Sequence, residues 1–127
     1  RGSIPALSLA QDTSTLTACI NDYGAEDVFK RVFSGLSSDG DVLLAITTSG
    51  ESKNIIETLK LAKKKGIYTL GFLGKGGGKA LEYCDAAFIV PNSITARIQE
   101  SHITAGHALL QYVEDSLLES NWLTLNN

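Results

Sequence analysis

A chain of 127 residues, 43% hydrophobic and 20% charged, is one domain or a piece of one and is long enough to bury a core. Its net charge of −3 argues against a nucleic-acid partner, because the only basic run, Lys63-Lys64-Lys65, is explained by lysines complementing a helix C-terminus. No apolar run approaches the ~20 residues of a membrane span and no signal peptide is visible, so a cytoplasmic protein with no membrane partner is expected.

Residues 4–9 read as a first strand, with Pro5 tolerated only at its start. Residues 12–20 form a short helix or turn opened by Asp12-Thr13-Ser14, and Asn21-Asp22-Tyr23-Gly24 reads as a loop. Residues 26–36 are an amphipathic helix with Val28, Phe29, Val32, Phe33 and Leu36 on its apolar side. After the turn at 37–40, residues 41–46 are a continuous apolar run, the pattern of a parallel strand buried on both faces. Ile55, Ile56, Leu59, Leu61 and Ala62 then recur at helical spacing, and Lys65-Gly66 closes that helix. A strand at 67–73, a glycine-rich loop at 74–78, a short helix at 79–83 and a strand at 86–90 follow. Pro91-Asn92 stops that strand, and the longest helix runs from about Ala96 to Leu118. Alternation of this kind implies a layered α/β domain with a parallel sheet, whose ligands gather outside the strand C-termini.

Two places in this order carry chemistry. Thr47, Thr48, Ser49 and Ser52 surround a glycine where a buried strand turns into a helix. A helix N-terminus presents unpaired N–H groups and about half a positive charge, and hydroxyls add donors for phosphate oxygens. Ser49 or Ser52 could equally cap the helix with no ligand present. No Walker-type lysine follows and no G-x-G-x-x-G occurs, so a small phosphorylated metabolite suits the turn better than a nucleoside triphosphate or dinucleotide. Gly76-Gly77-Gly78 is either a second phosphate cradle or a plain turn. The other place is the last helix, where Gln99, Ile103, His107 and Leu110 lie along one stripe. His102 and His107 are five apart and point to different sides; each alone reads as a packed or surface residue, and two ligands fall short of a zinc site. Cys19 and Cys84 have no C-x-x-C spacing and read as buried free thiols, with a disulfide left open.

N-D-Y-G at 21–24, T-T-S-G-E-S at 47–52, G-G-G-K at 76–79 and R-I-Q-E-S-H-I-T-A-G-H at 97–107 come in one order over essentially the whole chain. Together they closely resemble the sugar isomerase (SIS) domain of bacterial phosphoheptose isomerases. The resemblance implies one SIS domain over residues 1–127, a flavodoxin-like, three-layer α/β/α fold with a parallel sheet, assembled as a homotetramer. It implies interconversion of sedoheptulose 7-phosphate and the aldoheptose 7-phosphate through an enediol, feeding lipopolysaccharide heptose. Carried over by motif, Thr47, Thr48, Ser49 and Ser52 bind the phosphate, and Asn21 and Asp22 hold sugar hydroxyls. Gln99 touches the substrate and His107 transfers a proton, both also binding zinc in members that hold the metal.

The same resemblance implies that the chain is truncated. Arg1-Gly2-Ser3 opens it and methionine is absent, so a fragment or processed product is expected. Family members carry further sequence before this point: N-terminal helices, a first central strand, and a helix with the catalytic glutamate and another zinc-binding histidine. Two non-catalytic SIS relatives are the alternatives, one that binds a replication-initiator protein and one that senses a sugar phosphate. The joint presence of Gln99 and His107 favours the isomerase over both.

Overall fold

The computed structural model describes residues 2–124 and holds three parallel strands, β1 (Val42–Thr47), β2 (Tyr68–Gly74) and β3 (Ala86–Val90), in the order β1-β2-β3. Val42 pairs with Tyr68 and Thr47 with Leu73; Leu70 pairs with Ala86 and Gly74 with Val90. Four helices accompany them: α1 (Thr13–Tyr23), α2 (Val28–Leu36), α3 (Lys53–Lys64) and α4 (Thr95–Glu119), with a 3-10 helix at Lys79–Tyr83. Successive strand residues point to opposite faces. Leu43, Ala45 and Leu73 join Ile56, Leu59 and Ala62 of α3 and Phe33 of α2 in the main core. On the other face Phe72 meets Phe88 and His102, and α4 packs over β2 and β3. The helices thus lie in layers on both sides of a parallel sheet, as expected.

Three expectations change. Residues 4–9 are not a strand: they pair with no strand among the described residues, and a strand needs a neighbour for its alternating N–H and C=O groups. Leu9 alone of this segment packs against the core, while Ile4 and Leu7 stay exposed. Asn21 and Asp22 belong to the last turn of α1 rather than to a loop, because the helix continues to Tyr23 and ends at Gly24. β1 is buried on one face only. Val42, Leu44 and Ile46 are 63%, 44% and 54% exposed, because α4 covers β2 and β3 and leaves the far side of β1 bare.

A polar lock joins β2 to the start of β3. Asp85 Oδ2 accepts the Thr69 N–H at 2.8 Å and lies 2.8 Å from the Thr69 hydroxyl, while the Asp85 N–H returns to Thr69 O at 2.9 Å. The Thr69 amide, then its hydroxyl, hold the Asp85 carboxyl below its ordinary value. A depressed carboxyl stabilises the fold above its unfolded pKa of about 4, and that contribution is lost as pH falls through the folded value. Urea midpoints of the native protein should therefore fall more between pH 6 and pH 3 than those of Asp85→Asn. Equal pH dependence in the two proteins would remove Asp85 from the acid response.

Candidate functional site

The site forms where β1 and β2 end and α3 and α4 begin. β1 ends on Thr47, only 5% exposed, whose Oγ1 lies 2.9 Å from Ser52 Oγ and accepts the Gly50 N–H at 3.3 Å. Ser49 Oγ accepts the Glu51 N–H at 3.1 Å. Ser52 occupies the N-cap position of α3, yet its side chain makes no capping bond. The capping explanation for this serine therefore fails, and its hydroxyl is committed to Thr47 instead. Asn54 Oδ1 takes the Ile55 N–H at 2.9 Å, which leaves the Lys53 and Asn54 N–H groups of the first turn of α3 without a hydrogen bond among the described residues and open to an anion. Lys53, at that same end, is turned onto Glu26 at 2.6 Å; the Glu26 hydrogen bond, followed by its charge, raises the Lys53 pKa.

Gly74 is the junction of three elements. A Cβ built there would lie 2.2 Å from Thr48 O and 2.7 Å from Ile98 Cδ1, so only glycine lets the hydroxyl turn, the end of β2 and the first turn of α4 meet. Ile98 is fully buried at this contact, and the next residue, Gln99, is exposed. One turn further on, His102 is 5% exposed, and its Nε2–H donates to Leu73 O at 3.1 Å. Its Nδ1 is buried with no partner among the described residues. Ile98 and His102 together fix α4 against the C-terminal end of β2. Gln99 follows Ile98 at the start of α4, and no hydrogen bond joins its side chain to the 47–52 turn among the described residues.

His107 and the sugar-binding candidates are less closely joined. Gln99 and His107 are both exposed, eight residues apart on α4, hence about 12 Å along its axis. Asn21 and Asp22 are exposed at the end of α1, bonded to each other through Nδ2 and Oδ1 at 2.9 Å, and α1 packs against α2. Neither bonds to the 47–52 turn among the described residues. Those residues also hold no group of three or more His, Cys, Asp or Glu able to bind a metal. Gln99 and His107 alone do not make a zinc site, because a catalytic zinc takes three protein ligands.

The structure adds Glu51 to the neighbourhood of the site and packs the Gly77-Gly78 loop against the hydroxyl turn and His102 against the end of β2. His102 shares helical spacing with Ile98, Ala105 and Leu109, so its place on the sheet-facing stripe was readable from the pattern. Glu51 gave no such signal. The glycine-rich loop packs against the hydroxyl turn: a Cβ on Gly50 would lie 2.0 Å from Gly77 O.

A model of the SIS domain matches residues 6–111. The phosphoheptose isomerase of a Nitratiruptor species is 53% identical over 116 residues, covering 91% of this chain and 62% of the relative. That of Campylobacter concisus is 51% identical over 116 residues, 91% of this chain and 61% of the relative. The solved structure of phosphoheptose isomerase GmhA from Neisseria gonorrhoeae superposes with a TM-score of 0.84 at 40% identity, over 86% of this chain and 61% of that one. The chain thus spans about three fifths of the length of the relatives it matches.

Proposed function

Because the chain belongs to the SIS domain family, we propose that it carries the phosphate-binding part of a phosphoheptose isomerase. The observation that carries this reading is the pair of Lys53 and Asn54 amides left open at the start of α3 beside Thr47, Thr48, Ser49 and Ser52. The substrate is sedoheptulose 7-phosphate, converted through an enediol to D-glycero-D-manno-heptose 7-phosphate for lipopolysaccharide heptose. The hydroxyls and the α3 amides hold the phosphate, and Gln99, beside the buried Ile98, reaches the sugar. Asn21 and Asp22 take further sugar hydroxyls.

Moving a carbonyl from C2 to C1 requires one group to take a proton from C1 and return it to C2. A second group must carry the hydroxyl proton from O1 to O2 as the enediol forms and collapses. His107 takes this second role, since an imidazole both accepts and donates near neutral pH. On the family resemblance, a glutamate moves the carbon-bound proton. Zinc, proposed on the family resemblance, would need ligands beyond those residues besides Gln99 and His107.

The apolar surface supports a homo-oligomer, a tetramer in this reading. Val42, Leu44 and Ile46 on β1 and Ile103 and Leu110 on α4 are exposed. An open groove of about 300 Å³ on β2, β3 and α4 is lined by Leu70, Phe72, Phe88, Ala105 and Leu109. Contiguous apolar area of this kind marks a surface that another element or subunit covers. The cytoplasm is the proposed compartment; among the described residues no helix is long and apolar enough to cross a membrane.

The test is solvent exchange. The full product of the gene encoding this chain, incubated with sedoheptulose 7-phosphate in deuterated water, should place deuterium at C1 or C2 as aldoheptose appears. Binding of the sugar phosphate without exchange would overturn the isomerase in favour of a sensor domain.

A further inference from the structure

Glu51 places a carboxylate within the turn that is read as a phosphate seat, where a free negative charge would repel the ligand. The side chain is not free. Its Oε1 accepts the Lys79 N–H at 3.0 Å, and Oε2 lies 3.8 Å from Lys79 Nζ. The carboxylate therefore sits on the start of the 3-10 helix and turns its charge toward a positive group. Beside it, the Ala80 N–H donates to Gly50 O at 2.9 Å. These are the two hydrogen bonds that cross between the hydroxyl turn and the 75–80 loop among the described residues. The backbones also press together: a Cβ on Gly78 would lie 2.7 Å from the Gly50 carbonyl carbon and 2.9 Å from Glu51 Oε1.

We propose that Glu51 is a positioning residue for the phosphate turn, tying it to the glycine-rich loop so that its hydroxyls and the α3 amides converge on one anion. The proposal rests on the phosphate reading given above. It assigns the Gly77-Gly78 loop the role of a brace. The loop touches the turn and holds its shape, while the ligand is held by Thr47 to Ser52 and the start of α3. The Lys79 N–H bond accepted by Glu51 is one of the two hydrogen bonds that cross between the turn and the loop among the described residues, so its removal loosens the turn more than loss of an exposed side chain ordinarily does.

Inorganic phosphate titrated into the isotope-labelled chain, followed at the Lys53 and Asn54 amides by NMR, tests this directly. Glu51→Ala should weaken phosphate binding about tenfold. Glu51→Gln, whose amide oxygen still accepts the Lys79 N–H, should stay within about twofold of the native affinity. Native affinity in Glu51→Ala would overturn the proposal, even with a lowered unfolding midpoint, because that is the signature of a merely structural side chain. Glu51→Gln falling as far as Glu51→Ala would also overturn it, since the accepting oxygen would then be irrelevant. If phosphate leaves these amides unmoved in the native chain, the phosphate reading itself fails and the proposal falls with it.

Discussion

Gly50→Ala should abolish phosphate binding and cost about 4 kcal/mol of stability, more than any other single substitution considered in this chain. Two costs combine. Gly50 has φ +69°, where an L-residue is disfavoured by about 1–2 kcal/mol. Its Cβ would also lie 2.0 Å from Gly77 O and 2.4 Å from Gly77 C, overlaps with main-chain atoms that no side-chain rotation relieves. The two loops must part, which breaks the Ala80–Gly50 bond and opens the turn at the ligand side. Gly40→Ala is the matched control. Gly40 has φ +87° but open space around its Cβ, so only the smaller backbone cost of about 1–2 kcal/mol should appear. Urea unfolding of both variants checks the contrast, and equal losses would mean that the loop contact contributes nothing.

His107→Ala should lower kcat of the complete enzyme about 10²- to 10⁴-fold, the range expected for removing a general acid–base group. KM should change little, because the proposed phosphate contacts lie at the 47–52 turn and not at His107. The side chain is exposed, so its loss should cost under about 0.5 kcal/mol of stability, and unfolding would not account for the lost turnover. Retained turnover would remove His107 from proton transfer.

Local features of this chain were readable and distant ones were not. The strand–turn–helix at residues 41–64 follows from a short apolar run, clustered hydroxyls and helical spacing, all within a few residues of one another. The long α4 was likewise placed to within one residue at each end. Residues 4–9 have the composition of a strand, but pairing is decided by a neighbour elsewhere in the chain, and β1 has none on that side. Continuous apolar residues in β1 suggested burial on both faces; which strands α4 covers depends on Gly74, Ile98 and His102, not on β1 itself. The Glu51–Lys79 and His102–Leu73 bonds join residues 28 and 29 positions apart, beyond any local pattern. Within the site, the strand–turn–helix setting of the four hydroxyls followed from local pattern. No hydrogen bond among the described residues ties Asn21, Asp22 or His107 to the hydroxyl turn.

The most direct measurement is a paired NMR titration of the labelled chain with sedoheptulose 7-phosphate and with free sedoheptulose. Binding at the turn predicts saturable shifts of the Thr48, Ser49, Lys53 and Asn54 amides with the phosphorylated sugar and none with the free sugar at the same concentrations. Equal shifts from both sugars, or shifts confined to other parts of the chain, would contradict a phosphate seat at the N-terminus of α3.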